Sequence, residues 1–322
     1  MTRCSVADEI VVRPFEDRDL PAVLDVMRAA LGEPPGLGRT PELFGWKHVD
    51  NPFGRSLMLV AQESGRIAGF RAFMRWELVA PDGTTLRCVR AVDTATHPDF
   101  QRRGIFRQLT LAGIDLAIDD GIDLIFNTPN EKSGAGYLTM GWSRVGAIGV
   151  MARPCLGLIS FGRQDWPDPG DAAAEAAIGA GRLDGFPNGH LKGLHTLRTR
   201  EYLQWRFAAH PTGTYVVGGS DAGVAVARLN SRNGRRELVV SELAGPDAST
   251  GVRGLIRRFR PDYAAAWFSE GSIERRLALR SGLVPVPKVS ALALVARPLR
   301  PISVDVTELA SWDLSLGDLE LL

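Results

Sequence analysis

At 322 residues, with 45% apolar and 23% charged side chains and a net charge of +1, the chain reads as a soluble globular protein longer than one core usually serves, so two domains are expected. The balanced charge excludes the footprint of a nucleic-acid binder. No apolar run approaches the roughly 20 residues that cross a bilayer, Met1 to Arg13 lacks the apolar core of a signal peptide, and the three scattered cysteines (Cys4, Cys88, Cys155) fit a reducing compartment, so a cytoplasmic protein without membrane association is expected.

In chain order, Glu9 to Pro14 reads as a first strand. Leu20, Val23, Leu24, Val26 and Met27 then lay an apolar stripe along a helix over Glu16 to Leu31. Gly32 to Arg39 is loop. A second helix starts at Pro41 with Thr40 as N-cap and ends near Asn51-Pro52. Ser56 to Gln62 and Arg66 to Leu78 read as strands joined by a hairpin turn at Glu63-Ser64-Gly65-Arg66. A turn at Pro81-Asp82-Gly83 leads into a strand (Cys88 to Thr96) that stops at His97-Pro98-Asp99. After Gln101-Arg102-Arg103-Gly104-Ile105-Phe106, the residues Ile105, Leu109, Ala112, Leu116 and Ala117 recur at helical spacing. Ile122 to Asn127 is a short strand ending at Thr128-Pro129-Asn130, and a further helix carries Ser133 and Tyr137 before Gly141-Trp142.

Gly104 therefore sits where a strand turns into a helix. The first amides of a helix have no internal partner, and the helix dipole places partial positive charge there. With Arg102, Arg103 and Arg107 around it and a glycine that lets backbone come close, this turn suits a phosphate or diphosphate. A basic, solvent-facing first turn with an ordinary loop glycine is the competing structural reading.

Over this stretch the sequence resembles the GNAT superfamily of acyl-CoA-dependent N-acetyltransferases. Members carry an Arg/Gln-x-x-Gly-x-Gly/Ala turn for the diphosphate of CoA, then a strand, then a helix with Asn, a small residue, Tyr and Gly-aromatic in fixed order; this chain supplies Asn130, Ser133, Tyr137, Gly141 and Trp142. Phe106 departs from the pattern, as in a sub-branch resembling the enhanced-intracellular-survival acetyltransferases. The resemblance implies an α+β fold with a GNAT-like mixed, mostly antiparallel sheet flanked by helices. It also implies acetyl-CoA, or another acyl-CoA, as co-substrate and a small-molecule or peptide amine as acceptor. It assigns CoA contacts to Thr94, Ala95, Thr96, Gln101, Arg102, Arg103, Gly104, Ile105, Phe106, Asn130 and Ser133. Tyr137 becomes the acid for the departing thiolate, and Asp93 stands as a base, with a purely structural pairing to an arginine such as Arg90, and water as the base, as its rivals. Strand amides around Thr94 to Thr96 would polarise the thioester oxygen, and splaying of this strand from Leu124 to Asn127 would open a cleft for the pantetheine.

The second half repeats the first. PELFGWKHVDNPFG at 41–54 aligns with REYLQWRFAAHPTG at 200–213, pairing Trp46 with Trp205, and Met151-Ala152-Arg153-Pro154 aligns with Val295-Ala296-Arg297-Pro298. The second copy has no diphosphate turn, offering only Ala248 to Gly254, and aligning Gly141 with Gly282 puts Gly271 and Ala278 where Asn130 and Tyr137 stand. A duplicated fold with a degenerate second copy is therefore expected: a catalytic domain over residues 1–155, a linker with one short helix over 156–197, the degenerate domain over 198–300 and a tail over 301–322. The tail, with Asp305, Glu308, Asp313, Asp318 and Glu320, reads as a docked segment, or as one folding back so that an acidic side chain or the Leu322 carboxylate meets the amine. Trp46, Asp50 and Asn51 are candidates for the acceptor pocket, though the recurrence of Trp46 as Trp205 favours packing. His48, His190, His195 and His210 form no ligand spacing, so no metal is expected. A non-catalytic CoA-binding sensor or scaffold, another acyl donor, an oxygen acceptor and a nucleotide-binding protein are the competing readings.

Overall fold

A computed structural model describes residues 9–32, 38–155, 165–184, 192–287 and 292–319. Cys4, His190, Glu320, Leu322, most of the loop expected over Gly32 to Arg39 and parts of the expected linker lie outside the described residues.

The first half runs β1 (Val11–Pro14), α1 (Leu20–Leu31), α2 (Pro41–His48), β2 (Leu57–Glu63), β3 (Arg66–Val79), β4 (Thr85–Thr96), α3 (Ile105–Asp119), β5 (Leu124–Asn127), α4 (Glu131–Thr139) and β6 (Ser143–Ile148). The local signals act as expected. Thr40 caps α2 by accepting from the Leu43 amide. The β2–β3 hairpin turns at Ser64 (φ 47°) and Gly65 (φ 82°), the left-handed pair that matches strand twist. After β7 (Val150–Pro154) come α5 (Ala174–Gly179), β8 (His195–Thr196) and α6 (Arg200–Leu203), then β9 (Thr214–Ser220), β10 (Gly223–Arg232), β11 (Arg235–Ala244), α7 (Ala248–Phe259), β12 (Tyr263–Ala266), α8 (Ile273–Arg280), β13 (Val284–Val286), β14 (Leu292–Pro298) and α9 (Leu316–Leu319).

The strands form two mixed, mostly antiparallel sheets with helices against them. The first has the order β1-β2-β3-β4-β5-β14-β6, with β8 paired to β3, and the second β13-β7-β12-β11-β10-β9. Read from β2 and β9, the two match strand for strand, so the duplication is structural. The inner strand of each sheet comes from the other half of the chain. β14 lies between β5 and β6, and β7 lies between β12 and β13. The sheets therefore do not divide where the expected boundaries at residues 155 and 300 divide the chain.

This exchange explains the second repeated motif. Arg297, on β14, donates to the Met140 carbonyl and lies against Gly141. Arg153, on β7, donates to the Ser281 carbonyl at 2.5 Å and lies against Gly282. Each arginine closes the end of the other half's last helix. The first motif marks the join itself. The Trp46 and Trp205 rings stack 4.7 Å apart at 14°, and each indole N–H donates to the other's backbone carbonyl, at 2.8 and 2.7 Å. One apolar core runs from Trp46, Trp76 and Phe126 through Tyr202, Trp205 and Trp267 to Trp312 and Leu319. Part of the expected linker belongs to it, with Ala174, Ala177, Ile178 and Leu183 buried there, while Ala172 and Trp166 pack into the core of the second sheet.

The tail is a docked segment. It pairs along the end of the second sheet, with Ser269 N–H donating to Leu314 and Leu316 N–H donating to Trp267. Below it lies a buried charge cluster. Arg198 Nη2 reaches Glu242 at 3.0 Å and Asp318 at 3.3 Å, and Ser315 Oγ donates to Glu242 at 2.9 Å. Burial pushes the Glu242 carboxyl up from its ordinary 4.5 to about 7, with Arg198 opposing and Asp318 reinforcing the shift. Because the folded value is raised, this group's stabilisation is complete below about pH 4.5 and is lost as pH rises through about 7. The thermal midpoint should therefore fall between pH 5 and pH 8 more steeply in the wild type than in Glu242→Gln; parallel profiles in a differential scanning measurement would contradict this.

Candidate active site

Strands β4 and β5 run parallel and pair from Cys88 to Arg90 with Leu124 to Phe126. Beyond Arg90 no further pairing exists, so the strands part at Ala91 and Asn127. The opening thus starts past Arg90 on β4 and Phe126 on β5. On its other edge β4 bulges: Phe70 pairs with Ala95 and Ala72 with Val92, which leaves Arg71 opposite both Asp93 and Thr94. Asp93 takes φ 47° to make the bulge. A cavity of about 660 Å³ fills the opening.

One side of that cavity carries the residues expected from sequence. Thr94, Thr96, Phe106, Asn130, Ser133 and Tyr137 line it, with Asp93 beside them. Ala95 is buried in its pairing with Phe70. The turn Gln101 to Gly104 is exposed, with Arg102 (φ 63°) and Gly104 (φ 75°) both left-handed. No side chain caps α3, and the nearest heavy atom to a β-carbon placed on Gly104 is Gln108 Nε2 at 3.9 Å, so the helix start is open to an anion. Arg103 does not add a free charge to it, because its guanidinium is paired with Glu63. Ile105 is buried in the core beneath.

Phe106, the departure from the motif, turns in between α3 and α4. Its ring meets Tyr137 edge-on at 5.5 Å and 88°, and a β-carbon on Gly136 would lie 2.8 Å from it. Gly136 is thus the signal that goes with Phe106. Asn130 caps α4: its Oδ1 accepts from the Ser133 amide at 2.9 Å and from Ser133 Oγ at 3.0 Å. Its carbonyl oxygen is therefore engaged inside the motif, leaving only its N–H₂ for an incoming group.

Tyr137 is 3% exposed and borders the cavity. Its oxygen accepts from Arg71 Nη1 at 2.7 Å. Asp93 is held by Lys47 Nζ at 2.8 Å and His48 Nε2 at 2.9 Å. Burial alone would raise this carboxyl, but the Lys47 charge and the hydrogen bonds from His48 and Lys47 outweigh it and keep it well below the usual carboxylate range. Burial lowers the His48 imidazole against the pull of Asp93. A carboxylate only accepts, so Nε2 carries the ring proton and Nδ1 accepts from Ser56 Oγ at 3.0 Å. Lys47 and Arg71 escaped the sequence reading, since single basic residues in a helix or strand give no signal of burial, and the expected pairing of Asp93 with Arg90 is replaced by Lys47 and His48. Arg90, 2% exposed, donates to the Asp318 and Leu319 carbonyls at 2.6 and 2.9 Å, which brings the tail to the cavity wall at Leu319.

Some expectations place residues elsewhere. Trp46 and Asp50 border a different groove, on the join between the halves, and Asn51 is buried in a turn, donating to Arg75 and accepting from Phe53. Asp318 is committed to Arg198 and Ser315. Among the described residues, no group of three or more His, Cys, Asp or Glu is placed to hold a metal, and no helix is long and apolar enough to cross a membrane.

In the second sheet β11 and β12 pair from Glu237 and Tyr263 to Val240 and Ala266 and then part in the same way, but the tail fills the gap. Asp247 N–H donates to the Ala222 carbonyl at the start of α7, and a β-carbon on Gly223 would fall 2.4 Å from the Ala248 nitrogen. Backbone of the β9–β10 turn covers that helix start, and the tail occupies the strand end beside it.

Residues 11–145 match the family model described as an acetyltransferase (GNAT) domain. A search of curated protein sequences found no match. Among solved structures the chain is similar to a GCN5-related N-acetyltransferase from Kribbella flavida, at 13% identity over 92% of this chain and 72% of that one, with a TM-score of 0.60. It is similar to Eis1 from Mycobacterium abscessus (16% identity, 90% and 73% covered, TM-score 0.56). It is also similar to a tandem GNAT protein from the clavulanic acid biosynthesis pathway (15%, 92% and 100%, 0.53). At these identities the likeness is one of fold, and it extends over both sheets. Together with the strand-for-strand duplication, this gives the chain a duplicated GNAT-type fold, the first copy of which carries the match to the acetyltransferase (GNAT) domain over residues 11–145.

Proposed function

We propose that the protein is an acyl-CoA-dependent N-acyltransferase that passes acetyl from acetyl-CoA to a primary amine in the cytoplasm, with its chemistry in the domain of residues 1–155. The observation that carries this reading is the cavity between the parted strands, bordered at once by the β4 bulge and by Tyr137.

In this reading the donor's diphosphate rests on the open amides at the start of α3 and its pantetheine lies between β4 and β5. Amides of the bulge polarise the thioester oxygen as charge builds on it. The amine, unprotonated, attacks the carbonyl carbon; the C–N bond forms, the C–S bond breaks, and the sulfur takes the proton of Tyr137. The amine's lost proton goes to water, and water restores the phenol. Asp93 is a poor base while Lys47 and His48 hold it ionised, so its role is to fix the bulge and the Lys47 ammonium at the acceptor end of the cavity. From the second half of the chain, the tail reaches the cavity wall at Leu319.

The test is thiol release from acetyl-CoA in the presence of a panel of primary amines, amino acids and lysine peptides, with a thermal-shift measurement in parallel. Amine-dependent release together with a raised melting temperature is expected. A raised melting temperature with no release would favour a CoA-binding scaffold; ATP or NAD displacing the donor would favour a nucleotide-binding protein.

A further inference from the structure

Arg71 is fully buried, at 0% exposure, yet no carboxylate among the described residues pairs with it. Its Nη1 donates to Tyr137 Oη at 2.7 Å and to Thr94 Oγ1, while Nε and Nη2 have no hydrogen-bond partner. Three aromatic faces surround the charge: Phe73 at 4.6 Å, Tyr137 at 5.3 Å and Phe106 at 5.9 Å. Rings of this kind hold a cation in place but do not replace its hydration. Burying a charge without a counter-ion is unfavourable in general, and an apolar side chain of similar size would pack this site without that cost. Its position is also specific, since it is the one β3 residue facing the two bulge residues. The pattern is that of a group kept for what it does to the atoms it touches.

We propose that Arg71 is a positioning residue that acts on the acyl-transfer step through Tyr137. This inference rests on the acyltransferase reading above. By donating to the phenolic oxygen, the guanidinium occupies a lone pair, so the phenol's own proton is turned away from Arg71 and toward the cavity, where the sulfur leaves. When the C–S bond breaks, the electron pair goes to sulfur, the Tyr137 proton follows it, and the phenolate that remains has the guanidinium at hydrogen-bond distance until water returns a proton. The same contact to Thr94 ties the acid to the bulge, so the group that protonates the sulfur and the amides that hold the oxygen share one support.

Calorimetric titration at pH 8.5 with CoA and with dethio-CoA, in which hydrogen replaces the thiol, tests this without knowledge of the acceptor. At that pH a fraction of the CoA thiol is ionised. The wild type should bind CoA about tenfold more tightly than dethio-CoA, the order of one charge-assisted hydrogen bond. Arg71→Met should lose most of that preference while keeping its affinity for dethio-CoA. Tyr137→Phe should lose it equally, and the double variant no further. Should Arg71→Met not fold, Arg71→Lys is expected to keep part of the preference and Arg71→Gln none. An unchanged preference in Arg71→Met or Arg71→Gln, equal loss of both ligands, or a wild type without preference overturns the role of Arg71 alone. A wild type that binds neither ligand overturns the CoA-dependent reading with it.

Discussion

Replacing Tyr137 with phenylalanine is expected to lower kcat for acetyl transfer by about 10²- to 10⁴-fold, the range for loss of a general acid, with KM for acetyl-CoA near its wild-type value. The ring stays because its packing does not depend on the hydroxyl: Phe106 meets it at 5.5 Å and Trp142 at 5.0 Å. The donor cleft is therefore kept and only proton delivery is lost, a change confined to the transition state. A secondary effect accompanies it. Arg71 Nη1 loses an acceptor in a fully buried site, so stability should drop by about 1–3 kcal/mol. Steady-state thiol release separates the two, since kcat is read at a temperature where both proteins are folded. Turnover in Tyr137→Phe within threefold of wild type would remove the phenol from the mechanism.

The largest effect on stability is expected at the join between the halves. Trp205→Ala removes one face of the stacked indole pair, leaves the Trp46 carbonyl without its donor, and opens a void in the core that both sheets share. The cost should be about 3–5 kcal/mol, read as a shift in urea midpoint. Trp205→Phe, which keeps most of the area but not the N–H, should cost less. Because Trp46 and Trp205 contact each other, the double alanine variant should cost less than the sum of the singles. A midpoint for Trp205→Ala close to wild type would show that the two halves are held by something other than this pair.

What could be read from sequence was what short stretches decide alone. The Ser64-Gly65 hairpin, the Thr40 cap and the glycine before α3 are each fixed by residues within four positions. The family motif then placed Tyr137 and the Thr94 to Thr96 strand on one wall of a single cavity. The exchange of β7 and β14 was not legible, because an inner strand shows the same run of apolar residues whichever sheet receives it. Its trace was present as the repeated Ala-Arg-Pro, whose meaning needed the partner helix ends at Met140 and Ser281. Lys47 and Arg71 stayed hidden for a different reason: a lone cation in an amphipathic element reads as solvent-facing, and their partners, Asp93 for Lys47 and Thr94 and Tyr137 for Arg71, are distant in sequence.

The crossed inner strands make the two halves a single folding problem. A polypeptide ending after β7 would carry a sheet with a gap between β5 and β6 and an unclaimed strand with two open edges, and the complementary piece would have the mirror fault. Such fragments, made separately, should aggregate, whereas made together they have every reason to find each other. A variant in which the two copies are parted should thus fail at the level of folding, before catalysis is at stake.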